Sequence, residues 1–204
     1  MNILYLHGIG SGANARTARE IQKAFPECKV IAPELPYSPL EARKYIWNIF
    51  MQESPEIVVG TSLGGFYTML LGGCAKIIIN PAMLPAINLE SSLGLGTFPY
   101  FKSRSNGDTE YTIDEEFLNQ LNKLSDFFYL NCLDQEFKNE TTCIMSTHDE
   151  LFNNQDFYKE MYNRNPILIN DKHRLSDESI INVLIPLIRE KINELNRTLC
   201  NSLK

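Results

Sequence analysis

Ser62 lies in a sequence pattern that is typical of an activated serine nucleophile. Residues 60–64 read Gly-Thr-Ser-Leu-Gly and fit Gly-x-Ser-x-Gly, in which the serine occupies a sharp turn between a strand and a helix. The small residues Gly60 and Gly64 would let that strand and helix approach closely. A short pattern of this kind also arises by chance, so the alternative is a glycine-rich turn with an incidental serine.

A serine hydroxyl needs a base to react at neutral pH, and the chain offers three histidines for this role. Where a serine occupies such a turn, the acid and then the histidine follow it in the chain. His173 comes after the last strand-like segment and therefore fits the base. His7 precedes Ser62 and is expected to be structural. His148 directly precedes Asp149, which is considered below as the acid, so the chain would point the His148 ring away from that carboxylate.

The carboxylate that orients the base is predicted to be Asp149. It follows the penultimate strand-like segment, at the same sheet end as the serine and the histidine, where the strand ends of an open parallel sheet form a crevice. Asp134 also precedes His173, but it lies before that strand. Glu150 and Asp171 are the neighbouring competitors, and a solvated loop carboxylate is the alternative for Asp149 itself.

The third requirement is an oxyanion hole, in which two backbone N–H groups bind the charge that develops on a carbonyl oxygen. Leu63, the residue after the serine, is predicted to supply one donor. The glycine-rich loop after the first strand, His-Gly-Ile-Gly at residues 7–10, is predicted to supply the other through Ile9. No metal or organic cofactor is needed for this chemistry.

The elements that must position these residues alternate along the chain. Continuous apolar runs predict buried strands at 2–6, 29–32, 56–59, 76–80, 142–147 and 166–170. Helical spacing predicts helices at 15–25, 66–71, 156–162 and 177–199, and Pro186 is expected to kink the last of these. A capping box at 38–41 predicts the start of one further helix. Strands without polar alternation are typical of a mostly parallel sheet with helices on both faces, so we expect an α/β fold.

One long segment interrupts the alternation. Residues 82–140 contain glycines, serines and aromatics, one predicted helix at 114–124 and an ambiguous run at 127–130. This length and irregularity suggest a lid-like insertion over one end of the sheet. Because a single core can grow to about 250 residues, all of 1–204 is expected to form one domain.

Composition excludes several classes of function. The chain of 204 residues is 44% hydrophobic and 22% charged, as expected of a globular protein rather than a disordered one. Its net charge of −6 and its scattered lysines and arginines argue against nucleic acid as a partner. No apolar run approaches the roughly 20 residues that span a bilayer, so no membrane partner is expected.

The cysteines and the N-terminal residues bear on the compartment. Five cysteines, Cys28, Cys74, Cys132, Cys143 and Cys200, include no closely spaced pair, which favours buried thiols in a reducing compartment over disulfides or a zinc site. The first apolar run ends at residue 6, too early for a signal peptide. We therefore expect a cytoplasmic location, while the oligomeric state carries no sequence signal.

Three segments together resemble a known family. Tyr-Leu-His-Gly-Ile-Gly-Ser-Gly at 5–12, Gly-Thr-Ser-Leu-Gly-Gly-Phe-Tyr at 60–67 and Asn-Pro-Ala-Met-Leu-Pro at 80–85 resemble the α/β-hydrolase superfamily, and more closely its small YqiA-like bacterial esterases. The resemblance covers most of the chain and is weakest in the insertion. It implies a compact α/β-hydrolase fold, with nucleophile, acid and base on Ser62, Asp149 and His173. Lys-His-Arg at 172–174 departs from the Asn-His-Ala-like turn of many relatives.

The expected activity is therefore that of a serine carboxylesterase that cleaves short-chain acyl esters through an acyl-enzyme. The resemblance also implies acyl-CoA thioesters as possible substrates, and the same triad could act on a carbon–carbon bond. A different class of hypothesis is a non-catalytic binding protein on this scaffold, because a fold does not fix a function.

Overall fold

The computed structural model describes residues 1–101, 104, 107–131 and 134–202. Its centre is a six-stranded sheet in the order β2-β1-β3-β4-β7-β8, in which every neighbouring pair is parallel. The strands are β1 (Asn2–Leu6), β2 (Lys29–Ile31), β3 (Ile57–Thr61), β4 (Ala75–Ile79), β7 (Thr141–Ser146) and β8 (Ile167–Ile169). All six correspond to predicted strands.

Helices cover both faces of this sheet, as the continuous apolar strands predicted. Leu4 and Leu6 of β1 belong to one buried cluster, whereas Ile3 and Tyr5 belong to the other. Successive residues of a strand point to opposite faces, so a strand buried on both faces must be apolar throughout. The helices outside the insertion are α1 (Arg16–Ala24), α2 (Pro39–Glu53), α3 (Leu63–Thr68) and α7 (Gln155–Tyr162), together with the C-terminal helical segment.

Two helix ends show how local sequence sets these elements. Ser38 caps α2, since its hydroxyl accepts a hydrogen bond from the Glu41 amide at 3.5 Å. The C-terminal segment consists of α8 (Asp177–Ser179), a π-helical turn (Ile180–Leu184) and α9 (Ile185–Ser202). The π turn ends two residues before Pro186, which lacks the N–H that a regular helix would use there.

The insertion contains more regular structure than its sequence predicted. Helix α4 (Pro85–Leu93) and an antiparallel pair, β5 (Gly96–Pro99) and β6 (Glu110–Ile113), precede α5 (Glu115–Asn131) and α6 (Gln135–Asn139). The predicted helix at 114–124 was too short. It continues through the ambiguous run because Phe128 is fully buried and its ring contacts Phe66 edge-on, with centroids 6.5 Å apart.

Candidate active site

The parallel sheet brings the candidate residues to one edge. Ser62 follows β3, the glycine-rich loop follows β1, Asp149 comes three residues after the end of β7, and His173 follows β8. Carboxyl ends of parallel strands lie at the same edge of a sheet, so residues far apart in the chain meet there.

Ser62 occupies a strained turn that the surrounding backbone holds in place. Its φ of 55° and ψ of −121° lie in a region that a non-glycine residue rarely adopts, at a cost of order 1–3 kcal/mol. The Ser62 amide donates to the Ile79 carbonyl at 2.9 Å, and its carbonyl accepts from the Ala82 amide at 3.1 Å. A β-carbon at Gly64 would overlap the Leu6 carbonyl, so this turn requires glycine there.

His173 and Asp149 form a direct pair. Nδ1 of His173 lies 2.9 Å from Oδ2 and 3.0 Å from Oδ1 of Asp149, and their side chains are 7% and 6% exposed. Asp149 Oδ1 also accepts the amides of Leu151 and Phe152, each at 2.9 Å. The carboxylate is therefore fixed by the backbone, and it holds the imidazole with Nδ1 as the donor and Nε2 available. The Phe152 ring packs edge-on against the imidazole at 4.7 Å.

Asn80 supports the loop that follows β8 and carries His173, called the histidine loop below. Sequence reasoning missed this role. Asn80 is buried directly after β4, where its amide nitrogen donates to the His173 carbonyl at 2.9 Å and to the Lys172 carbonyl at 3.3 Å. The same side chain donates to Ser146 Oγ at 2.9 Å and accepts from the Ser146 amide at 2.7 Å. In the sequence, Asn80 marked the end of a predicted strand and belonged to a segment that resembles the family, but neither signal indicated its contacts with residues 172–173.

The two candidate oxyanion donors flank the serine. Leu63 is the first residue of α3, where a helix leaves its amides without intrahelical acceptors, and Ile9 lies in the loop after β1. Among the described residues neither amide has a hydrogen-bond acceptor. The loop packs closely on the nucleophile, since a β-carbon at Gly8 would lie 2.9 Å from Ser62 Cβ.

Ser62 and His173 line the same cavity, of about 360 Å³. Ile9 and Gly8 form part of its wall, and Phe101 and Tyr111 of the insertion form another part. Within the described residues Ser62 Oγ makes no hydrogen bond, so the cavity brings serine and histidine to one space without joining them directly. A hydrogen bond between a serine and its histidine base is often long or poorly aligned in the free protein and tightens only when a substrate binds.

The other histidines have different surroundings. His7 is buried, its Nδ1 lies 2.9 Å from the Gly8 carbonyl, and its Nε2 accepts the Leu35 amide at 3.3 Å. Both contacts suit a neutral ring with the proton on Nδ1, and burial lowers the pKa of His7. His148 is exposed and contacts Thr147 Oγ1 at 3.1 Å. The structural role predicted for His7 fits this geometry.

The competing carboxylates are occupied elsewhere. Glu150 Oε2 accepts the backbone amide of His173 at 3.0 Å, so it supports the loop and not the ring. Asp171 accepts the Ser176 amide at 2.7 Å, and Asp134 lies before α6, where it accepts the Phe137 amide at 3.4 Å. Asp149 is thus the carboxylate that lies against the His173 ring.

The described part of the chain shows neither a metal-binding cluster nor a membrane-spanning helix. It contains no group of three histidine, cysteine, aspartate or glutamate side chains arranged to hold a metal ion. No helix in that part of the chain has both the length and the apolar character required to cross a bilayer.

Comparison with known proteins identifies the fold. Alpha/beta hydrolase domain-containing protein 10 from mouse is 17% identical, with 95% of this chain and 90% of that chain covered and a TM-score of 0.70. The monoacylglycerol lipase of Paleococcus ferrophilus is 12% identical over 93% and 94% of the two chains, with a TM-score of 0.65. Est1E of Butyrivibrio proteoclasticus, solved with ferulic acid bound, is 16% identical over 95% and 88%, with a TM-score of 0.60. The protein therefore has an α/β-hydrolase fold, as predicted.

The family is identified by a second comparison. The model of the family described as "Uncharacterised protein family (UPF0227)" matches residues 2–182, which is most of the chain. This chain belongs to that family, and the predicted resemblance to small YqiA-like α/β-hydrolases is confirmed.

Proposed function

We propose that the protein is a serine carboxylesterase that hydrolyses short-chain acyl esters. The observation that carries the proposal is the Asp149–His173 pair, whose side chains are buried and whose histidine lines the cavity that Ser62 also lines. Structural neighbours named as a monoacylglycerol lipase and as lipolytic enzymes support hydrolase activity for this fold.

In the proposed reaction, Ser62 Oγ attacks the ester carbonyl carbon while His173 Nε2 takes the hydroxyl proton. Asp149 stabilises the imidazolium through Nδ1–H, and the amides of Ile9 and Leu63 bind the oxyanion of the tetrahedral intermediate. Collapse of this intermediate breaks the bond to the alcohol oxygen, which receives the proton from His173. Water then attacks the acyl-enzyme with His173 as base, releasing the carboxylic acid and restoring Ser62.

The preference for short acyl groups has its own support. A small cavity of about 30 Å³ adjoins the candidate oxyanion donors, with Ile9 and Leu63 in its wall. Neither Ser62 nor His173 lines it, and the rings of Tyr67, Tyr100 and Tyr111 form part of its wall. An acyl group directed into this space would have room for only a few atoms, so long chains are expected to be poor substrates.

The organisation and location of the protein extend this proposal. We infer one domain over 1–204 in which residues 82–140 act as a lid, supported by the Phe101 amide, which donates to the Gly10 carbonyl of the loop after β1 at 2.9 Å. A cytoplasmic location is supported by Cys28, Cys74 and Cys143, which are buried free thiols as predicted, whereas Cys200 is exposed and the prediction of a buried thiol is wrong there. Cys132 lies outside the described residues.

The test is Ser62→Ala, assayed with p-nitrophenyl acetate and butyrate and with a fluorophosphonate probe. We expect wild type to turn over both esters and to carry the probe on Ser62, as mapped by mass spectrometry. The variant should lose both signals while keeping its circular dichroism spectrum. Undiminished labelling of a folded Ser62→Ala protein would overturn the assignment.

A further inference from the structure

The cavity that contains Ser62 and His173 has a charge opposite to that of the whole protein. Its charged wall residues, apart from the histidine, are Arg16, Arg174 and Glu150, which give it one excess positive charge, whereas the chain carries a net charge of −6. Helix α1 begins at Arg16 with no acidic residue in its first turn, so the helix dipole adds to the positive potential of this wall. A local field of this sign favours a negatively charged ligand.

Arg174 is the cation with capacity to bind such a ligand. Its guanidinium lies over the Phe101 ring, 4.5 Å from the centroid, and among the described residues it forms no salt bridge or hydrogen bond. Arg16 is partly engaged, since its Nη1 lies 3.2 Å from Asp177 Oδ1 and its Nη2 donates to the Leu175 carbonyl. Glu150 is likewise engaged by the His173 amide.

The position of Arg174 indicates which part of the substrate it faces. It directly follows His173, the residue proposed to protonate the departing alcohol oxygen, and it shares a wall of the cavity with that ring. The small cavity proposed for the acyl group is lined by neither Arg16 nor Arg174, and the cation that does line it, Arg104, is paired with Glu34 Oε1 at 3.2 Å. The positive wall therefore faces the alcohol portion of a bound ester.

We propose that the preferred substrates are acyl esters whose alcohol portion carries an anionic group, bound by the guanidinium of Arg174 with Arg16 contributing to the field. A carboxylate and a phosphate share the acceptor oxygens that a guanidinium binds in a forked geometry, so both fit this site. The inference rests on the proposed esterase activity and adds to it the charge of the substrate.

Two substrate pairs test the inference, each with an anionic member and a neutral counterpart that has the same acyl group. O-butyryl glycolate is compared with O-butyryl glycolamide for the carboxylate, and 1-butyrylglycerol 3-phosphate with 1-butyrylglycerol for the phosphate. Release of butyrate is followed by NMR at low salt. We expect kcat/KM to be about tenfold higher for the anionic member of at least one pair, the size of effect that a charge-assisted hydrogen bond produces. The pair with the larger ratio identifies the anion.

Arg174→Gln tests whether this residue is the source of the preference. The ratio of anionic to neutral kcat/KM should fall to near one in this variant. Arg43→Gln is the matched control, because Arg43 also stacks on an aromatic ring, 4.8 Å from the Phe127 centroid, and does not line the cavity. Its ratio should equal that of wild type. Added salt should independently lower the wild-type ratio by screening the exposed guanidinium.

Ratios near one for both pairs in wild type would overturn the inference, as would a preference that Arg174→Gln leaves intact. The proposed esterase activity would survive either result, because it is judged by neutral esters and by labelling of Ser62. If neither ester class is hydrolysed and the fluorophosphonate does not react, the proposed function itself fails.

Discussion

Replacing Asn80 with alanine tests whether the histidine loop is positioned from within the sheet. The substitution removes all four hydrogen bonds of this side chain, leaving the buried Ser146 amide and the carbonyls of residues 172 and 173 without their present partner. Each buried polar group left unsatisfied costs about 1–3 kcal/mol. Asn80 also has a φ of 43°, which asparagine tolerates better than alanine. We expect the free energy of unfolding to fall by about 3 kcal/mol.

The effect on the proposed reaction should be larger than this stability loss suggests. A displacement of about 1 Å in a reacting group lowers a rate by about 10²-fold, and Asn80 contacts the backbone of His173 itself. We therefore expect kcat for p-nitrophenyl butyrate to fall by about this factor with KM nearly unchanged. The rate of fluorophosphonate labelling at Ser62 should fall in parallel, measured where circular dichroism shows both proteins folded.

Asn154→Ala is the matched control for Asn80→Ala. Asn154 is also buried, and its amide donates to the Pro81 carbonyl at 2.9 Å and to Asn88 at 3.0 Å, but it does not bond to residues 172–173. It should lose stability while keeping kcat close to wild type. The reasoning is refuted if Asn80→Ala keeps wild-type kcat, or if the control loses as much activity at equal folded fraction.

Two further predictions concern the loops around the serine. Gly64→Ala should unfold the turn or lower the stability of the protein by several kcal/mol, because the new β-carbon overlaps the backbone of Leu6. Gly72→Ala should be tolerated, because its β-carbon would meet only Phe137, at 3.7 Å. Equal urea midpoints for the two variants would contradict this prediction. The pKa of His7 is lowered by burial, so between its folded-state pKa and 6.5 the unfolded chain binds a proton that the folded chain does not. Stability should therefore fall as the pH drops below 6.5, and less steeply in His7→Gln, as measured by urea unfolding from pH 8 to pH 5; identical pH profiles would show that His7 contributes nothing.

The sheet and the placement of the candidate residues could be predicted because they depend on local signals. Apolar runs located all six strands, and the rule that parallel strands end at one edge then placed Ser62, Asp149 and His173 together. The helix after the serine begins at Leu63, earlier than the expected 66, because glycines at 64 and 65 weakened the helical signal in the sequence.

Features that depend on distant partners could not be predicted. The role of Asn80 rests on hydrogen bonds to residues 66 and 93 positions away, for which no spacing rule exists. The β5–β6 pair consists of strands of four residues each, joining Gly96 to Ile113. Runs this short carry little periodicity, so only the pairing itself reveals them.

The sheet and the insertion hold different parts of the cavity, which bears on how activity and specificity can change. Asp149, His173 and Asn80 are held by bonds among the ends of β4, β7 and β8, elements that the buried core keeps rigid. Phe101 comes from the insertion, where its amide binds Gly10 and its ring supports the Arg174 guanidinium. A substitution at the sheet edge should therefore lower turnover of every ester, whereas one in the insertion should first alter which esters are preferred.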